Sequence, residues 1–438
     1  MTQVSADRSS KDSATNDSSV PNKASIYDSS KLIDMAAIKK DLEASADLPV
    51  HWVSDFEALE ACLDDLETRD RVALDTEFIK RSTYFPILAL VQINTGECIY
   101  LIDAPKLDLT EFWVVLEEMP LMIWHACGED LGIFYLLSES PAALTNVFDT
   151  QIALSYLTGQ LQMGYQQALS QELDIHVDKG ESQSDWLARP LTHEQESYAI
   201  DDVRYLLNLY DILQQQLTKQ GLIDKVIEDC QLYTKELYEA ANIEDDATYL
   251  AMADFRYTGE QMAVLQAVSS WREALARATN QPKTFILKKQ AVRDVVVEFP
   301  KSVKQLTQKT TMHRSMIHLY GEELIDIINK ARTLPVEEQP ARVFPPYRSK
   351  DKTVSKAVSQ AIKEYEAETG VPANVLMRKK WLSHLYEIVA YDLPIEQMPE
   401  GLKGWRKEWV MQTLIPLITS HKQALQDGMR MEQEDDEI

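Results

Sequence analysis

The chain has 438 residues, 45% of them apolar and 26% charged, which are the proportions of a folded protein with room for several domains. Apolar runs such as Ile87 to Val91 or Ile133 to Leu137 fall far short of the roughly 20 residues of a membrane helix, and no apolar segment follows Met1, so neither a membrane span nor a secretory signal is expected. Four cysteines without C-x-x-C spacing argue against a zinc site or disulfide framework and for a reducing cytoplasm, while 70 Asp+Glu against 44 Lys+Arg leave a net charge of −26, unfavourable to a nucleic-acid partner unless the cations are gathered locally.

Residues 1–46 are expected to be a disordered tail, because up to about Lys31 the sequence is Ser, Thr, Asn, Asp and Lys with few large apolar residues. Between 47 and 222 strand and helix patterns mix. Val72 to Phe78, Leu88 to Asn94 and Cys98 to Ile102 read as an antiparallel meander with Thr95-Gly96 in its second turn. A helix over Leu109 to Glu118, a strand over Leu121 to His125, a helix over Glu129 to Ser138 and a strand ending at Val147 to Asp149 follow, then one long helix from its cap Thr192 to about Leu217. Alternating strands and helices predict an α/β domain with a mixed sheet covered on both faces. From 223 onward helical periodicity dominates, with breaks at Asn280-Gln281-Pro282, Phe299-Pro300 and Leu334-Pro335. The expected division is a helical domain over 223–334, a Pro-rich linker over 335–350, a second helical domain over 351–425 and an acidic tail over 426–438.

Asp75 and Glu77 are two apart in Val72-Ala-Leu-Asp-Thr-Glu-Phe78, so on a strand both project to one face. Two readings stand for such a pair: a solvated polar edge, or a cation site whose hard oxygen ligands suit Mg²⁺ or Mn²⁺ and relieve the repulsion. Asp130 falls in the first turn of a helix, where an Asp is a cap as readily as a ligand. Tyr198 and Asp202 are four apart and share a helical face, a spacing that also arises by chance. The conjunction in this order carries more than any one motif.

The set resembles the DEDDy branch of the 3′-to-5′ exonucleases, and the whole chain resembles the ribonuclease D family. The resemblance rests on Ala73-Leu-Asp-Thr-Glu-Phe78 with Thr83-Tyr-Phe-Pro86, on His125-Ala-Cys-Gly-Glu-Asp-Leu131, on Phe148-Asp-Thr-Gln151, on Asp178-Lys-Gly-Glu-Ser182 with Asp185-Trp-Leu-Ala-Arg-Pro190, and on Tyr198 to Asp202. It implies an RNase H-like fold and hydrolysis of RNA from the 3′ end to nucleoside 5′-monophosphates, in the trimming of tRNA precursors and other stable RNAs. It assigns metal binding to Asp75, Glu77, Asp130 and Asp202 and a water-orienting role to Tyr198; the neighbouring acid Asp201 lies about 100° away on the helix. The implied chemistry uses two divalent ions, Mg²⁺ with Mn²⁺ as the alternative, clamping the scissile phosphate, with Asp130 acting partly through water. With an ordinary pKa of about 10, Tyr198 suits orienting the water better than deprotonating it.

Further residues carry paired readings. Lys179 and Arg189 are phosphate contacts or solvated loop cations, His125 is structural or touches substrate, and Phe78 and Tyr84 stack on terminal bases, unless Phe78 is core. Gln261 to Arg332 resembles an HRDC domain through Trp271-Arg-Glu-Ala-Leu-Ala-Arg277, Pro282-Lys-Thr-Phe-Ile-Leu-Lys-Lys289 and Phe299-Pro-Lys-Ser302, and Ser355 to about Ile418 resembles a divergent second copy. From Lys283 to Arg314 eight cations, Lys283, Lys288 and Lys289 among them, face two acids, a local excess suited to RNA phosphates or merely a solvated face. A monomer is expected. The competing readings are a DNA 3′-to-5′ exonuclease, since the same metal chemistry acts on either backbone, and a non-catalytic RNA-binding module, which loss of a motif acid would favour.

Overall fold

The computed structural model describes residues 35–177, 180, 184–345 and 352–427. The described chain begins with α1 (Met35–Ala46), β1 (Val50–Val53) and α2 (Phe56–Leu66), followed by the meander β2 (Val72–Ile79), β3 (Ile87–Asn94) and β4 (Ile99–Ile102). Then come α3 (Thr110–Glu118), β5 (Met122–Trp124), α4 (Gly128–Ser138), β6 (Val147–Asp149), α5 (Thr150–Thr158), α6 (Tyr165–Leu173), α7 (His193–Arg204), α8 (Leu206–Gln220) and α9 (Ile223–Ala241). The six strands form one sheet in the order β1-β4-β3-β2-β5-β6. β2 lies inside it, antiparallel to β3 and parallel to β5.

Period-two alternation sends the sheet's side chains to two separate cores. Leu74, Val91, Ile93, Ile102 and Trp124 pack with Leu63 of α2, Phe112 and Leu116 of α3 and Phe134 of α4. Leu90 and Leu101 face the other way, onto Trp186, Leu191, Ala199 and Val203, so that α7 covers this face. The mixed, doubly covered sheet is the expected one. β1 gave no sequence signal because it is an edge strand of four residues that buries only Val53.

Three expectations are corrected. The segment 1–46 is not wholly a tail: it is helical over Met35–Ala46, where Leu42 and Ser45 are half-buried, and the Arg204 guanidinium donates to the carbonyls of Ser45 and Ala46. Residues 1–34, Lys179, the part of the linker over 346–350 and the acidic end over 428–438 lie outside the described residues. The long helix after Thr192 is two helices, because Tyr205 leaves helical geometry at φ −109°, ψ 7°, and Asn94 takes the carbonyls of Val203 and Arg204. The third concerns α9, assigned by its helical periodicity to the region 223–334. It packs on α4, α5 and β6, with Tyr233, Leu237 and Tyr238 against the sheet's core, and so belongs to the sheet domain.

The first helical domain contains α10 (Gly259–Ala278), α11 (Lys283–Ile286), α12 (Lys289–Glu298), α13 (Val303–Lys309) and α14 (Arg314–Arg332) around Leu265, Val292, Val295, Leu306, Leu324 and Ile328. Thr258 and Gln261 form a capping box at its start, and two of the three predicted breaks coincide with positive φ, at Asn280 (48°) and Phe299 (43°). The second contains α15 (Lys352–Thr369), α16 (Ala373–Leu376), α17 (Lys379–Tyr391) and a helical stretch over 407–420.

Candidate active site

Asp75 and Glu77 leave β2 on the face covered by α7, and Asp202 meets them from that helix. One carboxylate oxygen from each lies within 4.8 Å of the other two. Two devices hold the helix in place: the capping box of Thr192 and Gln195 at its start, and the Asn94 amide on the carbonyls of Val203 and Arg204 at 3.0 and 2.9 Å at its end. Asp201 turns away to pair with Arg204 at 3.4 Å, as the helical period requires. Tyr198, one turn before Asp202, is hydrogen-bonded to it and has its ring centroid 6.0 Å from that of Trp186.

Asp130 is not among the three acids whose oxygens converge within 4.8 Å, although its charge acts on each of them. It accepts a short hydrogen bond from the hydroxyl of Thr76, whose side chain alternates to the opposite face of β2 from Asp75 and Glu77. The loop that delivers it is held by Asp149, a buried carboxylate that accepts from the backbone N–H groups of Ala126 (3.1 Å), Cys127 (3.0 Å), Gln151 (2.7 Å) and Ile152 (3.3 Å). Ala126 takes a left-handed φ of 62° there. Sequence reasoning assigned Asp149 no role, although an Asp just before a helix is a cap signal.

The electrostatics are those of acids crowded away from water. Burial, and then the charges of Asp130, Asp202 and Glu77, push the Asp75 carboxyl well above the usual range. Burial, and then the charges of Asp202 and Asp130, raise Glu77 to about 9. Asp202 rises to about 7, again mainly by burial, against the opposing hydrogen bond from Tyr198. Asp130 rises to about 6, burial outweighing its bond from Thr76. Burial also moves the Tyr198 phenol above its ordinary value. A divalent cation is the partner that lets such a group of carboxylates ionise together, and an all-oxygen donor set fits a hard one.

A family model described as 3′-5′ exonuclease matches residues 50–218, and an HRDC domain model matches residues 261–328. A ribonuclease D of Pseudomonas paraeruginosa is 33% identical over 376 residues, 85% of this chain and 98% of the relative. The chain belongs to the ribonuclease D family. It is accordingly a metal-dependent 3′-5′ exoribonuclease. A ribonuclease D of Escherichia coli is 28% identical over 375 residues, 84% of this chain and 98% of the relative. The crystal structure of Escherichia coli RNase D, an exoribonuclease involved in structured RNA processing, matches at a TM-score of 0.76 and 25% identity, covering 85% of this chain and all of that one. The catalytic core of RRP6 from Trypanosoma brucei shares the fold, with a TM-score of 0.51 at 23% identity over 65% of this chain and 80% of that one.

The remaining candidates of this ribonuclease D family chain are sorted by their partners. Arg189 is not free for phosphate: it binds buried Asp103 at 2.7 and 3.0 Å and the carbonyls of Ala89, Trp186 and Ala188. His125 has both ring nitrogens engaged, one with the Thr150 hydroxyl at 2.8 Å and the other with the Met163 carbonyl at 2.9 Å. Tyr84 is tied to the first helical domain: its hydroxyl meets Glu273, its backbone N–H meets Asn280 at 3.1 Å, and its ring packs on that domain's core.

Tyr84 is thus one of the contacts between the sheet domain and the first helical domain, and beside it opens a cleft of about 1110 Å³. Phe78 and Glu129, chain neighbours of Glu77 and Asp130, line one side of it. Lys283 and Lys289 line the other, with Lys80, Arg81, Arg272 and Arg277 also on its walls. Lys283 pairs with Glu273 at 3.0 Å. Lys288 is exposed at the start of α12 and is not among the lining residues. The local excess of cations therefore converges in part, two of the three named lysines reaching the cleft.

Proposed function

We propose that the chain shortens RNA from the 3′ end with two divalent ions, Mg²⁺ in preference to Mn²⁺, held by Asp75, Glu77 and Asp202 with Asp130 behind them. The observation that carries this is the convergence of three carboxylates from a central strand and a pinned helix. Ions bound there supply Lewis-acid activation of water and neutralise charge at the scissile phosphate. The three converging carboxylates would hold the ions, and Asp130, tied to Thr76, would act partly through water. Tyr198 keeps its proton, as its raised pKa requires, and orients the attacking water through its hydroxyl. The cleft beside Phe78 receives the single-stranded end, with Lys283 and Lys289 on its phosphates.

The substrates are tRNA precursors with 3′ extensions, the products nucleoside 5′-monophosphates, and the enzyme acts as a monomer in the cytoplasm. The four free, buried cysteines support a reducing compartment. No helix of the described residues is long and apolar enough to cross a membrane. The test is a 5′-labelled precursor tRNA with a 3′ extension, incubated with wild type or Asp75→Asn, with Mg²⁺ or EDTA, beside a DNA strand of the same sequence. Stepwise shortening of the RNA by wild type in Mg²⁺ alone is expected. Equal shortening by the variant would place catalysis elsewhere, and preference for DNA would replace the substrate class.

A further inference from the structure

β3 reads Ile-Leu-Ala-Leu-Val-Gln-Ile-Asn, an apolar run interrupted at Gln92. Gln92 stands directly opposite Asp75 in the antiparallel pair of β3 with β2, and opposed residues carry their side chains on the same face. That face is the one covered by α7. Leu90, two residues before Gln92, packs with Ala199 and Val203, and Asn94, two residues after it, donates to the carbonyls of Val203 and Arg204. Gln92 is wholly buried, and among the described residues neither its Nε2 nor its Oε1 has a hydrogen-bond partner.

A buried amide without partners is destabilising, and a methionine of similar length would fill the same space with no polar atom to satisfy. The amide therefore has a task that packing does not explain. Its cross-strand neighbour is the carboxylate at the centre of the acid cluster. Acids that hold a cation are commonly steered by a second hydrogen bond from behind, which decides which oxygen is left for the ion.

We propose that Gln92 is a positioning residue of the metal centre: its Nε2–H, unpaired in this structure and opposite Asp75, donates to the Asp75 carboxylate once that group ionises around a divalent cation, and so sets the orientation in which it meets the ion. This rests on the reading of Asp75, Glu77 and Asp202 as the metal ligands. The amide–carboxylate bond is charge-assisted and short-ranged, so it acts on Asp75 and leaves the RNA-binding cleft untouched.

The experiment titrates Mn²⁺ into the full chain without RNA, followed by the electron paramagnetic resonance of the free ion, for wild type, Asp75→Asn, Gln92→Met and Gln92→Asn. Melting in EDTA is measured alongside. Gln92→Met is expected to melt no lower than wild type yet to bind Mn²⁺ about 10- to 100-fold more weakly, with kcat reduced and KM for RNA unchanged. Gln92→Asn, which keeps the amide but shortens its reach, should weaken Mn²⁺ binding in the same way, and decides the matter should the methionine variant melt early. Wild-type Mn²⁺ affinity in a folded Gln92 variant would overturn the proposal. Failure of wild type to bind Mn²⁺, or undiminished binding by Asp75→Asn, would instead remove the metal-site reading beneath it.

Discussion

Arg406 of the second helical domain sets two guanidinium nitrogens on the Asp229 carboxylate of α9, at 2.5 and 2.8 Å, and both side chains are buried. The carboxylate also accepts from the Tyr156 hydroxyl at 2.6 Å and the Trp405 indole at 3.1 Å, while the guanidinium lies 4.1 Å from the centre of the Trp405 ring. Removing one partner leaves a buried charge uncompensated. Arg406→Met or Asp229→Leu should each cost about 3–5 kcal/mol in urea denaturation, while the double variant recovers much of the loss. Additive losses would show that the pair is not coupled.

The raised carboxyls predict how stability follows pH. In the folded, metal-free chain Glu77 holds its proton up to about 9, Asp202 to about 7 and Asp130 to about 6, whereas unfolded carboxylates release theirs at about 4. Between about pH 4 and 9 the folded state binds more protons, so this contribution to stability is lost as pH rises. A divalent cation binds the deprotonated cluster, so the stabilisation by Mg²⁺ should grow across the same window. Melting temperatures with EDTA and with Mg²⁺ from about pH 5 to 9 check it. A Mg²⁺ increment that is flat with pH would contradict it.

Tyr198→Phe removes the hydroxyl that orients water and leaves the carboxylates in place. Turnover should fall by about 10²-fold, with Mn²⁺ affinity and KM for RNA near wild type. Unchanged turnover would take the water-orienting role away from Tyr198.

The cations separate into two kinds by their partners. Lys289→Ala should weaken RNA binding and lower the slope of log affinity against log salt by about 0.7, the value for one phosphate on a single strand. Arg189→Ala should leave that slope unchanged and lower the melting temperature instead, because it deprives the buried carboxylate of Asp103 of its main partner and leaves Lys106 at 2.8 Å. Filter binding at several salt concentrations distinguishes them. A changed slope for Arg189→Ala would return it to the RNA surface.

The acids were legible because strand and helix periods translate spacing into faces: Asp75 with Glu77 at two, Tyr198 with Asp202 at four. The meander was legible because its strands alternate into two cores. The tasks of Arg189 and His125 were not, since their partners Asp103, Thr150 and Met163 are remote or unremarkable in sequence, and a loop cation looks the same whether it meets phosphate or a buried carboxylate. The same holds for the placement of α9, whose periodicity shows that one face is buried but not which neighbour covers it. Gln92 carried a signal, a lone amide in an apolar strand, which gains meaning only once its cross-strand partner is known.

The two-ended fastening of α7 limits how the length of the chain can vary. With Thr192 and Gln195 closing one end and Asn94 gripping the other, the helix spans a fixed distance between fixed points. One residue inserted between Tyr198 and Asp202 would turn the acid by about 100° and carry it off the strand's carboxylates. Insertions and deletions in natural or engineered variants should therefore fall outside residues 192–204, however freely the loops around that segment vary.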